Sequence, residues 1–314
     1  MDPEVDGGEG LTATAAPPRP SSPGQENTAR TASRFLYRHA GVRLAGLLSL
    51  PLAWLVVAYL GALATMLVAA FWTTNDFTGD VVRTVGLRNF SALLGEGVYR
   101  TIAIRSLLVA VLVTLIDAVI ALPVAYFMAK VAGTRAQRLL VIAVLMPLWA
   151  SYLVKTYAWR VMFARGGVLD WALEPIGLHG PGYGLPAVVV TQAYLWLPFM
   201  ILPVFTGLER IPDTLLEASA DVGARAFRTF RSVVLPLLFP ALVAGSIFTF
   251  SLTLGDYITV SVVGGATQLA ANVIYDNIVT GGNLPFAAAA AFFPVAVMIG
   301  YLVAVRRTGA LAEL

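Results

Sequence analysis

Six long runs of apolar residues dominate the hydrophobic pattern of the chain. They cover residues 44–72, 102–128, 139–157, 185–208, 233–254 and 284–305. A helix needs about 20 apolar residues to cross a hydrocarbon core of about 30 Å. The pattern therefore predicts an all-α membrane protein with six transmembrane helices. The third run contains Pro147, which is expected to break its helix.

The polar stretches between these runs define the expected domain organisation. Residues 1–33 are rich in Pro, Gly, Ser and Thr and have almost no large apolar side chains, so a disordered tail is expected rather than a cleaved signal peptide. Residues 34–84 hold the first helix and an external loop. Residues 85–307 hold the other five helices, with a polar loop at 209–232, and residues 308–314 form a C-terminal tail.

Orientation follows from the distribution of basic residues. If both termini are cytoplasmic, the residues before the first span (1–43), the loops at 130–138 and 209–232, and the C-terminus carry 14 of the 21 basic residues. Inward-facing loops of membrane proteins are enriched in Lys and Arg. The sequence therefore predicts a multi-pass protein of the bacterial cell membrane with both termini in the cytoplasm.

Composition excludes several kinds of chemistry. The chain is 58% hydrophobic and 12% charged, with no cysteine and two histidines far apart. Disulfides and thiolate metal sites are therefore excluded, and neither a metal site nor a nucleic-acid partner is expected; the surrounding partner is membrane lipid. No Gly-x-x-x-x-Gly-Lys-Ser/Thr phosphate loop is present, so we expect no bound cofactor and no ATP hydrolysis by this chain.

The loop at 209–232 has the pattern of two helices joined at a glycine. Asp213 after Pro212 is expected to cap a first helix with its carboxylate. Gly223 can adopt the left-handed conformation that ends a helix, and a second helix is expected from Ala224. An amphipathic helix lying on anionic lipid would explain the Arg and Phe residues of this loop, but not its acids and glycine.

The spacing in this loop resembles the signature of ABC-importer permease subunits. That signature is Glu-Ala-Ala, three residues, Gly, nine residues, Ile, one residue and Leu-Pro. The chain keeps this spacing, with Ser219 in place of the second Ala and Val233 in place of the Ile. The residues that the resemblance assigns to ATPase coupling are Glu217, Ala218, Ser219, Asp221, Gly223, Leu235 and Pro236.

This resemblance implies a non-catalytic transmembrane subunit with the type I ABC importer fold. The loop would be the coupling helix, which docks on an ATP-hydrolysing subunit that binds ATP and Mg²⁺. The implied partners are a second permease subunit, expected to be a related heterodimer mate, two ATP-binding subunits, and a periplasmic or lipoprotein solute-binding protein.

Three further stretches resemble the permeases of spermidine/putrescine importers. They are YLVKTYAWRVMF (152–163), GGVLDWAL (166–173) and LTLGDYITVSVVGG (252–265). The resemblance implies a polyamine as the transported solute, with iron, thiamine or phosphonate as alternatives handled by related permeases.

A polyamine path requires spaced carboxylates with aromatic rings between them, for ion pairing and cation–π contact. A charge in the middle of a span costs about 2.5–3.5 kcal/mol, so it is expected to face a cavity or a partner. The candidate pathway residues are Asp117, Trp159, Tyr194, Trp196, Asp256, Tyr257 and Asp276. Each candidate also has a structural alternative. Asp117 would pair with a neighbouring subunit, and Asp256 and Tyr257 would cap a helix end. The other aromatic residues would form an interfacial belt.

Two other classes of membrane protein fit the pattern less well. A lipid-modifying enzyme requires clustered Asp or His residues at the interface, and the sequence has none. A secondary transporter requires an ion relay, whereas one acid alone lies in the middle of a span. Neither class explains the loop at 209–232.

Overall fold

The computed structural model describes residues 40–75 and 77–307, and these residues are mostly helical. The chain divides into two compact units, one ending at Leu63 and the other beginning at Ala64. The tails expected at 1–33 and 308–314 lie outside the described residues. The all-α prediction is confirmed.

The described part of the first unit is a single apolar helical stretch. Helix α1 is Ala40–Trp54, a π-helical segment covers Leu55–Leu60, and α2 is Gly61–Ala69, within which the unit boundary falls. The large apolar side chains of residues 47–60 are exposed. Exposure of this kind is expected for a helix surrounded by lipid or by another subunit.

The second unit contains a short hairpin and the remaining helices. In the hairpin, β1 (Thr73–Thr74) pairs antiparallel with β2 (Val81–Val82), with Thr73 opposite Val82. The helices that follow are α3 (Arg88–Gly95), α4 (Gly97–Tyr126), α5 (Thr134–Trp149), α6 (Tyr152–Phe163), α7 (Val168–Leu173), α8 (Leu185–Glu209), α9 (Asp213–Asp221), α10 (Ala226–Thr229), α11 (Leu235–Gly255), α12 (Ile258–Val263), α13 (Ala270–Val279) and α14 (Leu284–Arg307). Irregular helical turns extend α4 to Val131 and join α10 to α11.

Five helical segments of the described chain are long and apolar enough to cross a membrane, and a sixth span is possible if α5 and α6 act together. Those two helices meet at a bend of 91°. The sequence placed the break of this span at Pro147, which instead lies inside α5, and the chain leaves the helix at Ala150 and Ser151. A helix can continue past a proline because the ring removes only one backbone donor, and the bend falls where two successive residues become extended.

The core of the second unit is a three-helix packing of α4, α8 and α11. Small residues allow α8 and α11 to lie close together. A Cβ atom on Gly207 would stand 2.5 Å from the Cβ of Ala241, and one on Gly245 would stand 2.6 Å from the sulfur of Met200. Close helix approach over small residues is a common packing mode in membranes, where apolar burial gives little driving force.

Candidate functional site

The loop between α8 and α11 forms a rigid elbow, called here the coupling segment (residues 209–232). Helix α9 ends at Asp221, two residues before Gly223, whose φ is +76° as expected from the sequence. The N–H of Gly223 donates to the carbonyl of Ala220 at 2.8 Å, and that of Ala224 to Ser219 at 3.1 Å. These bonds occupy carbonyls that the end of a helix leaves free.

Substitution of Gly223 by valine is expected to strain this elbow. No atom lies within 4 Å of a Cβ built there, so the penalty comes from the left-handed backbone and amounts to about 1–2 kcal/mol or more for an L-residue. The rate of proteolysis between α9 and α10 measures this loss of stability and is expected to rise. Gly133→Val is a matched control because Gly133 has equally open surroundings and an ordinary φ of −66°. Equal proteolysis rates in the two variants would contradict the prediction.

Ser219 replaces an alanine of the family signature, and the structure gives this hydroxyl a contact. Its Oγ lies 2.9 Å from the Oγ1 of Thr229, so it links α9 to α10 across the elbow. A hydrogen bond of this kind contributes about 0.5–1.5 kcal/mol. The substitution therefore adds a cross-link to the elbow.

The coupling segment carries exposed acids and exposed apolar side chains. Glu217 and Asp221 are exposed, and within the described residues neither makes an ion pair. Val222 and Phe227 are 83% and 74% exposed. Apolar side chains exposed among charges at the end of a bundle mark a surface for a protein partner.

The entrance to α9 is held by a lysine from a distant part of the chain. Lys130 donates from Nζ to the carbonyl of Ile211 at 2.6 Å and to Oδ1 of Asp213 at 2.7 Å. The expectation that Asp213 caps α9 was wrong. Asp213 is itself the first helical residue and no side chain caps α9; because Lys130 lies at hydrogen-bonding distance, the carboxylate bonds to its ammonium instead.

Leu235 and Pro236 close the signature at the first turn of α11. Both residues lie where the irregular helical turn Phe230–Val234 continues into α11. The roles that the resemblance assigns to these residues stay predictions.

At the other end of α11, Asp256 lies at the centre of a buried polar cluster. The side chain is 6% exposed. Its carboxylate accepts hydrogen bonds from the Tyr152 hydroxyl of α6, from Nε2 of Gln192 of α8 at 3.2 Å, and from the backbone N–H of Thr259 of α12 at 3.0 Å. These four residues are called here the Asp256 cluster, and together they join α6, α8 and α12 to the end of α11.

Aromatic rings line a cavity of about 280 Å³ beside Asp256. Tyr152 stacks on Trp196 with ring centroids 5.7 Å apart, and Tyr257 stacks on Tyr275 at 4.2 Å. The first pair and Tyr257 line the cavity together with Asp256. The structure thus brings together a carboxylate and several ring faces.

The other sequence candidates lie elsewhere. Trp159 packs against Tyr194 and Phe163 with centroids 5.4 Å apart in each pair, within an apolar cluster. Asp276 lies on α13, next to Tyr275 in sequence. Asp117 is fully buried on α4, and among the described residues both of its carboxylate oxygens lack a hydrogen-bond partner. In this structure the Asp117 side chain is enclosed by its own chain and is not among the residues that line the cavity beside Asp256, so its role stays a prediction.

Sequence reasoning missed three members of the Asp256 cluster. Tyr152 begins one of the quoted motifs, and Gln192 is the one amide in an otherwise apolar span, so both carried a signal. An amide placed inside a span must find a polar partner or pay a desolvation cost. Thr259 donates its backbone N–H to Asp256. Every residue except proline has such a group, so the residue type carried no signal.

Asp170 fixes the loop between α6 and α8. Its two carboxylate oxygens accept the N–H groups of Gly166 at 2.7 Å and Gly180 at 2.6 Å. These two bonds lower the pKa of Asp170, and the nearby His179 and Arg165 lower it further. A pKa that is lower in the folded than in the unfolded state stabilises the loop above an unfolded value of about 3.9, and this stabilisation disappears as the pH falls through the folded value.

We therefore expect residues 164–184 to stay protected from amide hydrogen exchange between about pH 5 and 7 and to lose protection only below about pH 4. Asp170→Asn is expected to raise exchange at neutral pH by about 3- to 10-fold, because one amide oxygen cannot replace both carboxylate oxygens. Glu174→Gln, at an exposed acid of the same loop, is the control. Protection that is unchanged in Asp170→Asn would contradict this assignment.

Comparison with known proteins identifies the chain. Residues 105–307 match the family model described as "Binding-protein-dependent transport system inner membrane component". The chain is 42% identical over 306 residues to the inner membrane ABC transporter permease protein YdcU of Escherichia coli (strain K12), covering 93% of this chain and 96% of that protein. It is 29% identical over 229 residues to the spermidine/putrescine transport system permease protein PotB of Haemophilus influenzae, covering 71% and 79%.

Among solved structures, the fold is similar to a crystal structure of a bacterial ABC transporter involved in the import of the acidic polysaccharide alginate. The TM-score is 0.67 at 15% identity, covering 88% of this chain and 98% of that one. The expected permease fold is confirmed, as is a membrane subunit distinct from the ATPase. The chain therefore belongs to the family of binding-protein-dependent transport system inner membrane components, the permease subunits of type I ABC importers.

Proposed function

We propose that this permease carries polyamines of the spermidine/putrescine type, delivered by an external solute-binding protein. Two observations support a polyamine. One relative, 29% identical over 71% of the chain, is named a spermidine/putrescine permease. The observation that carries the proposal is the Asp256 carboxylate, buried beside aromatic rings without a cationic partner in the described part of the chain.

The hydrogen bonds of Asp256 fit a site for an ammonium group. Its donors are a hydroxyl, an amide and a backbone N–H, all neutral. They stabilise the anion without neutralising it, so a cation entering the cavity gains a direct ion pair. The faces of Tyr152, Trp196 and Tyr257 add cation–π attraction of about 0.5–2 kcal/mol for a desolvated ammonium.

In this proposal, the energy for transport comes from ATP hydrolysis by a partner subunit. Glu217, Asp221 and the exposed apolar residues around Gly223 dock in an ATP-binding subunit that holds ATP and Mg²⁺. The full importer contains two such subunits, a second permease and the solute-binding protein. Both termini and the coupling segment face the cytoplasm, as the distribution of basic residues favours, and the Asp256 cluster faces outward.

The alternatives for the transported solute differ in charge. A phosphonate requires cationic groups, and the cavity beside Asp256 is lined by an acid and rings, without a basic residue among the lining side chains. Iron requires several oxygen, nitrogen or sulfur ligands, and the described residues hold no cluster of three or more His, Cys, Asp or Glu. Thiamine carries a positive charge and an aromatic ring, so it is the alternative that shares the chemistry of this site.

The decisive test is uptake of labelled spermidine, putrescine and thiamine into cells that lack this gene, with and without a plasmid copy. The proposal expects uptake of at least one polyamine to fall on deletion and to return with the plasmid. Labelled alanine is the control for membrane integrity. Polyamine uptake that is unaffected by deletion would refute the polyamine, and restoration of thiamine uptake alone would identify the alternative solute.

A further inference from the structure

Lys130 ties the inner end of α4 to the start of the coupling segment. Its side chain is 10% exposed, whereas that of its partner Asp213 is 73% exposed. Both acceptors of its ammonium, the Ile211 carbonyl and the Asp213 carboxylate, belong to the turn that enters α9. A buried ammonium requires such partners, because desolvation without them would cost several kcal/mol. The bond to the Ile211 carbonyl is partly buried, whereas the bond to the Asp213 carboxylate is exposed.

A second hydrogen bond connects the same region to α5. Nε2 of Gln137 donates to Oε1 of Glu209, the last residue of α8, at 2.7 Å. The coupling segment is thus fastened to α4 and α5 as well as to its chain neighbours α8 and α11. Of the two ties, that of Lys130 pairs two opposite charges and is less exposed, so it is the stronger.

We propose that Lys130 is a positioning residue that makes the inner end of α4 move together with the coupling segment when the ATPase moves it. The inference rests on the proposed docking of that segment. Helix α4 packs along α8 and α11 and carries the buried Asp117. With this tie, a shift of the coupling segment reaches α4 directly as well as through the packing of α4 on α8 and α11. Coupling between the ATPase-docking segment and the transport path requires an element whose position both sites influence. Helix α4, tied to the turn at 211–213, is that element in this proposal.

The burial of Lys130 determines which substitutions test this role. Lys130→Met keeps the length of the side chain and leaves Asp213 as an ordinary exposed carboxylate, so folding is preserved. Lys130→Arg keeps both donor bonds. Arg135→Met is the control for the loss of a charge, because Arg135 is exposed on the neighbouring turn of α5.

The experiment uses the whole importer in proteoliposomes and measures polyamine uptake per ATP hydrolysed. Lys130→Met is expected to lower this ratio about 5-fold while ATPase co-purification stays intact. Lys130→Arg and Arg135→Met are expected to match the wild type. An unchanged ratio in Lys130→Met would overturn the proposal. Loss of the ATPase from that variant would also overturn it, by showing that Lys130 shapes the docking surface instead.

A second readout does not depend on the identity of the transported solute. Because the chain has no cysteine, spin labels can be placed at Val131→Cys and Thr214→Cys, one on each side of the tie. Their distance is expected to stay narrow with and without ATP in the wild type and to broaden in Lys130→Met. If these distances are found as expected but the wild-type importer takes up no polyamine, the tie is supported and the proposed solute is wrong. A wild-type distance that changes with ATP would refute the tie.

Discussion

Glu217→Arg is expected to release the ATPase from this subunit and to lower uptake by at least about 10-fold. Glu217 is exposed on α9, six residues before the left-handed Gly223, and has no ion pair among the described residues. Its charge is therefore free for a partner. Reversal of an interface charge leaves a basic or N–H-rich partner facing a cation, which costs several kcal/mol.

Co-purification of the ATPase with the tagged permease, together with uptake, measures the effect. Glu217→Gln is expected to give a weaker loss, because the amide keeps one acceptor and removes only the charge. Glu174→Arg reverses an exposed acid in the α6–α8 loop and is expected to retain both activities. Full ATPase retention in Glu217→Arg would show that the acid face of α9 is not the docking surface.

Asp256→Asn is expected to lower polyamine uptake by about 10-fold or more, chiefly by raising KM. The amide has nearly the shape of the carboxylate, so the contacts with Tyr152 and Thr259 can persist in part. The charge is lost, and hydrogen bonds to a charged group are worth about 1.5–3 kcal/mol. Uptake measured over a range of polyamine concentrations separates KM from the maximal rate.

Glu174→Gln is the matched control for that variant, because it removes an exposed acid of the α6–α8 loop that lies outside the Asp256 cluster and is not a candidate pathway residue. The amount of each variant in the membrane and its ATPase co-purification should equal those of the wild type. An Asp256→Asn protein that assembles and transports normally would assign Asp256 a purely structural role at the end of α11.

The sequence was most informative where one local property decides the structure. Apolar length placed the spans, and the position of Gly223 between two polar helical stretches predicted its left-handed backbone. The bend between α5 and α6 was harder to place. Proline marks a weakened hydrogen bond, but the chain turned three residues later, where Ala150 and Ser151 became extended.

The Asp256 cluster was beyond local reasoning. Its members are separated by up to 107 residues, as in the contact of Tyr152 with Thr259 at 2.8 Å. The acid itself was visible as a charge at the end of an apolar run. Its donors depend on the packing of α6, α8 and α12, which no period or motif in a single sequence specifies. The same holds for Lys130, which lies 81 residues from the carbonyl that it binds.

The close contact of α8 with α11 has a consequence for how force passes through the molecule. At Gly207 and Gly245 the two helices interlock at two levels, so sliding of one along the other would drive Ala241 or Met200 into backbone. The coupling segment joins the inner ends of these same two helices. Its ends are therefore fixed points on one stiff body, and a push on the elbow turns that body as a whole without stretching the elbow.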